Sequence, residues 1–153
     1  MTAEQIFSVA NLLAVLCWIL LAALPARRWV THVATGTAAP ALFAVAYIAI
    51  VIAVFPHAEG SFSTLAGVSK LFANPWLLLA GWLHYLAFDL LIGTWETRDS
   101  IERGIPRWLL VPCLFLTLMF GPMGWIVYMG ARTWFTGSRR EAGRAQCESR
   151  SQY

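Results

Sequence analysis

The sequence specifies an all-α integral membrane protein, an antiparallel bundle of four transmembrane helices, and three observations carry that expectation. Hydrophobic residues fill 59% of the 153 positions, charged ones only 12%, and mean hydropathy is +0.63, whereas soluble domains carry about 25% charged residues. Four apolar runs reach the roughly 17–25 residues that a bilayer crossing needs. Within the bilayer a crossing segment must satisfy its own backbone groups, which leaves helices as the structure for such runs.

The runs extend from Ile6 to Leu24, from Thr37 to Phe55, from Trp76 to Trp95 and from Trp108 to Met129. Ahead of the first lies no basic region, only Glu4, and Pro25-Ala26-Arg27-Arg28 offers no small-residue cleavage site, so a retained helix is expected rather than a cleaved signal. The third has the best-marked ends: Asn74 caps it, Pro75 opens it, Gly104 closes it and Pro106 starts the next helix. Arg98/Glu102 and Asp99/Arg103 are spaced as i,i+4 pairs, so this helix is expected to run on to Arg103, about 43 Å over 29 positions. Between the second and third runs, Phe62, Leu65, Val68 and Phe72 recur at helical spacing in a Ser/Gly-containing stretch, which reads as an interfacial loop. Residues 1–133 thus form one transmembrane domain, and 134–153 a polar Arg/Ser-containing tail expected to be disordered.

With a net charge of +3 and no folded basic face legible in the sequence, a nucleic-acid partner is not expected. Three scattered cysteines, Cys17, Cys113 and Cys147, form neither a disulfide framework nor a metal spacing. With four crossings, Lys70, Arg132, Arg139, Arg140, Arg144 and Arg150 fall on one face and Arg27, Arg28, Arg98, Arg103 and Arg107 on the other. That near balance does not orient the chain. The tail arginines lack the acidic partners that Arg98 and Arg103 have, which favours both termini on the cytoplasmic side.

Function is sought in the third run, because His84 and Asp89 lie near its middle. A carboxylate at that depth costs about 2.5–3.5 kcal/mol on insertion scales and faces a bundle interior or a cavity. Asp89 and Glu96, seven residues apart, share a face with Trp82 and Tyr85, while His84 points about 140° away from Asp89. Counted by depth, Asn11, Tyr47, His84 and the Gly121-Pro122 break form one layer. Pro122 removes a helical hydrogen bond and leaves the Leu118 carbonyl to be satisfied by protein or a cavity, kinking the fourth helix. The candidate catalytic set is therefore His84, Asp89 and Glu96, and the candidate substrate-binding set Asn11, Tyr47, Trp82, Tyr85 and Pro122. Structural roles compete with each: Asp89 as a hydrogen-bond acceptor for Trp82 or Tyr85, His84 as a donor, and Glu96 as a solvated interfacial acid beside Trp95. His84 has no second histidine nearby and no Glu-x-x-His pair, which argues against a metal site. No cofactor motif is present, and four crossings without repeats make a poor transporter.

Asn74-Pro75-Trp76, Gly81-Trp82-Leu83-His84-Tyr85, Phe88-Asp89-Leu90, Trp95-Glu96 and Asp99, with Pro112-Cys113-Leu114 and Phe120-Gly121-Pro122-Met123-Gly124, resemble the ABA-deficient-four family of small four-helix membrane proteins. The likeness covers roughly Ile6 to Arg132 and is nearest the bacterial-type members, a bacterial inner-membrane location being implied. Plant members are needed to make neoxanthin from violaxanthin. The resemblance implies a membrane-embedded protein acting on or binding a carotenoid or related isoprenoid, without a cofactor. An isomerase of this kind opens an epoxide to an allene and needs an acid and a base. Burial favours the neutral form of a carboxyl, which suits Asp89 to the first role and His84 to the second. The alternative is a non-catalytic protein that binds pigment or stabilises a membrane protein partner, with membrane lipid around it and homo-oligomerisation open.

Overall fold

The computed structural model describes residues 2–150, and side chains through residue 137. The expected tail, 134–153, lies largely outside the described side chains. The chain is all α-helical among the described residues, a membrane protein as its composition requires. Its elements are α1 (Ala3–Ala23), a π-helical turn series (Trp29–Ala38) running into α2 (Ala39–Val54), a short turn (Phe55–His57), α3 (Leu65–Ala73), α4 (Pro75–Arg103), α5 (Arg107–Phe120) and α6 (Pro122–Arg150).

Among the described residues three helices are long and apolar enough to cross a membrane: Ala3–Ala23, Trp29–His57 and Pro75–Arg103. In α4, 56% of the best spanning window is buried, against 28% and 17% in the other two. α4 is therefore the central helix, with α1 and α2 between it and lipid. Leu79, Leu83, Leu86 and Leu90 fill the core with Trp18 and Leu21 of α1 and Phe43 of α2. Leu12, Ile19, Val45 and Ile52 point outward, as a lipid-facing surface requires.

α4 has the ends its sequence calls for. The Asn74 side chain accepts from the Trp76 amide at 2.9 Å, and Gly104 closes the helix at φ 63°. Asp99 pairs with Arg103 at 2.8 Å. The other expected pair is not made among the described residues: Arg98 turns to the π-helical stretch and donates to the Thr31 carbonyl. The second crossing also starts earlier than Thr37. A Thr- and Gly-rich stretch widens into a π-helix there, with Thr35 donating to Val30 and Thr37 to His32, each five residues back.

The fourth expected run is where the structure departs from four uninterrupted helices. The apolar run is not one kinked helix but two helices, broken at Gly121 with φ 48° and ψ −98°. α5 starts beside Arg103, and Arg107 donates to the Ala22 and Ala23 carbonyls at the end of α1, both at 2.8 Å. α5 then descends along α4, so that Leu118 lies beside Tyr85 and Gly121 against Asp89. α6 climbs back, and Tyr128 and Arg132 both reach Asp99. Asp89 is the midpoint of α4, and the 14 residues of α5 rise only about 21 Å against a hydrocarbon core of about 30 Å. The pair is a helical hairpin whose tip reaches the middle of α4 and whose two arms both run to the Asp99 end of it. Gly124 permits it, because a Cβ there would overlap the backbone of Thr117 on α5.

Candidate functional site

α4 presents two unlike faces. The hairpin face carries three buried carboxylates. At its mid-membrane end, the Tyr85 hydroxyl donates to the Leu118 carbonyl at 2.9 Å. This is the carbonyl that Pro122 leaves without a helical donor, so the break is satisfied by protein, as the sequence demanded. One turn along, Asp89 is 7% exposed. A Cβ on Gly121 would lie 3.0 Å from its Oδ1, and its Oδ2 is buried with no hydrogen-bond partner among the described residues. Two turns further, Glu96 is fully buried and accepts the Thr117 hydroxyl at 3.0 and 3.1 Å on its two oxygens. The competing reading of Glu96 as a solvated interfacial acid is thereby corrected: α5 covers it. Asp99 closes the column, accepting from Arg103 Nε at 2.8 Å, Tyr128 Oη at 2.8 Å and Arg132 Nε at 3.0 Å. Arg132 also lies 5.7 Å over the Trp95 ring, which meets Tyr128 edge-on.

The opposite face is apolar. Here His84 packs 5.5 Å from Tyr47 and 4.6 Å from Phe88, ring to ring. A cavity of about 340 Å³ adjoins it, walled by Tyr47, Val51 and Phe55 of the second crossing, Phe62 and Phe72 of the 57–73 segment, and His84. Phe55 and Phe62 stack at 5.6 Å across its rim. Phe62, at that rim, is 71% exposed, and Leu65 of the same segment is 87% exposed.

Of the expected residues, the structure brings Tyr47 and His84 together at the cavity. Asp89 and Glu96 sit with Tyr85 and Pro122 under the hairpin. Asn11 and Trp82 occupy each other: the indole Nε1 donates to the Asn11 carbonyl oxygen at 2.8 Å, tying α1 to α4. Trp82 therefore does not reach Asp89. The expected layer holds for Tyr47 and His84 but not for Gly121, which lies at the level of Asp89.

Sequence reading missed Thr117, Tyr128 and Arg132 as carboxylate partners, and the Thr94–Thr35 hydroxyl contact of 2.9 Å between α4 and the π-helical stretch. Tyr128 and Arg132 are four apart, on one helical face. That spacing at the end of an apolar run is the signal that could have found them.

No curated protein and no solved structure matches the chain. The ABA DEFICIENT 4-like family model matches residues 5–128, and the chain belongs to that family.

Proposed function

We propose that this protein seats one end of a carotenoid or related isoprenoid in the His84 cavity and isomerises it there. The observation that carries the reading is the cavity itself: apolar, between the second crossing, the 57–73 segment and α4, with an imidazole and a phenol in its wall. Ligand sites run about 300–1,000 Å³ and are apolar with a few placed polar groups. A space of about 340 Å³ takes an end ring and leaves the polyene chain in lipid.

For an epoxide-bearing end ring the chemistry balances within the substrate. His84 takes a proton from carbon, the ring C–O bond breaks as the new double bond forms, and the Tyr47 hydroxyl supplies the proton that makes the alcohol. Proton return from His84 to Tyr47 resets the pair. No electrons enter or leave. This assigns the acid role to Tyr47 rather than Asp89, because Asp89 lies on the other side of α4.

A second reading rests on the unpartnered Asp89 Oδ2 and puts the chemistry at the hairpin tip. Expression in cells that accumulate an epoxy-carotenoid separates the two. His84→Ala should abolish product formation while Asp89→Asn retains it; the reverse result moves the site to the hairpin. Pigment that co-purifies unchanged with the wild type establishes a binding protein without catalysis.

A further inference from the structure

The hairpin changes the charge balance of the two membrane faces. With three crossings, the ends of α1 and α4, the start of α5 and the return of α6 all lie on one face, because Arg107 touches Ala22 and Ala23 while Arg132 and Arg103 share Asp99. Of the seven Lys and Arg side chains among the described residues, six are there: Arg27, Arg28, Arg98, Arg103, Arg107 and Arg132. Lys70 is alone on the other face, with Glu4 and Glu59. Arg139, Arg140, Arg144 and Arg150 come after Arg132 in the chain. The near balance obtained with four crossings was a product of placing Arg132 and these later arginines opposite Arg107.

We propose that the arginine-rich face is cytoplasmic and rests on the anionic headgroups of that leaflet. Lys and Arg near helix ends are retained on the cytoplasmic side during insertion, and clusters there are attracted to anionic lipid. A second observation points the same way. Trp29 and Trp108 each follow an arginine of this rim and are 53% and 68% exposed, the placement of an indole at headgroup level. Among the described residues Asp99 and Glu102 are the acidic groups at that level and Asp99 is already paired, so the exposed charge of the described rim is positive. Glu141 and Glu148 follow Arg132 in the chain together with the four later arginines. The first residues of α1, the 57–73 segment and the cavity mouth then belong to the opposite leaflet. This inference is independent of what the cavity holds.

Single cysteines test it in full-length protein carrying Cys147→Ser, with Cys17 and Cys113 buried. Reporters go at exposed sites: Ala26→Cys, Ser63→Cys, and Gly137→Cys, where a Cβ meets nothing within 4 Å. In intact bacterial cells a membrane-impermeant maleimide should label Ser63→Cys alone, and all three after permeabilisation. Labelling of Gly137→Cys together with Ser63→Cys would restore four crossings and overturn the topology. Labelling of Ala26→Cys and Gly137→Cys with Ser63→Cys protected would reverse the orientation. For the lipid, purified protein in mixed phosphatidylglycerol and phosphatidylcholine nanodiscs should retain the anionic lipid severalfold over bulk, and Arg27→Gln/Arg28→Gln should reduce that enrichment. Equal retention of both lipids refutes the headgroup contact.

Discussion

The two faces of α4 differ in how their polar atoms are used. Toward the hairpin, Glu96 and Asp99 are each met by a hydroxyl or a guanidinium from α5, α6 or α4 itself. Toward α2, the His84 ring meets aromatic neighbours and open apolar volume. A polar group in a membrane is a functional candidate by default, but the default does not separate these cases. The carboxylate column ties α5 and α6 to α4. An acid that binds a neighbouring helix explains its own cost; an imidazole packed among aromatic rings beside an apolar cavity does not.

The contrast is broken most severely by closing off the hairpin. Gly124→Val would place side-chain atoms where the Thr117 backbone lies. Overpacking costs about 1–3 kcal/mol in a core that can adjust, and a backbone held in a helix cannot adjust as a side chain does. The largest drop in detergent melting temperature is expected here, with loss of the Tyr128–Asp99 contact. A variant as stable as wild type would mean that α5 and α6 do not pack against each other at Gly124.

Removing one partner within the column comes next. Thr117→Val leaves the Glu96 carboxylate buried with no donor, a penalty of about 1–3 kcal/mol or more for a charged group. Glu96→Leu in the same background should recover most of that loss, since an apolar pair has nothing left unsatisfied. If Thr117→Val is silent on melting temperature, the column is not what secures the hairpin.

These partners also mark where sequence reading ended. α4 was legible to its terminal residues because Asn74, Pro75 and Gly104 each act locally, through a cap, a fixed φ and a left-handed closing turn. The side-by-side placement of Tyr47 and His84 followed from depth alone. The hairpin was not legible, because a run from Trp108 to Met129 has the length of a crossing whether or not it turns back. Pro122 announced a kink, and it is Gly121 at positive φ with Gly124 against Thr117 that makes a reversal. Those are long-range consequences of small side chains, and apolar periodicity carries no trace of them. The reading of Glu96 as a solvated acid failed for the same cause: its burial depends on α5 lying over it.

The smallest expected effect on stability is the one that bears most on function. Val51 is half-buried and walls the cavity from α2, opposite His84. Val51→Phe directs its ring into space that is vacant, so overpacking is avoided and melting temperature should stay close to wild type. A ligand end group seated against His84 loses that volume, so pigment retention and any conversion should fall together. Ala49→Phe, on the exposed side of the same helix, controls for added aromatic surface and should change neither. If Val51→Phe keeps full pigment handling, the ligand does not enter this cavity. The unpartnered oxygen of Asp89 then becomes the better place to look, and the same pair of variants combined with Asp89→Asn decides between the two faces.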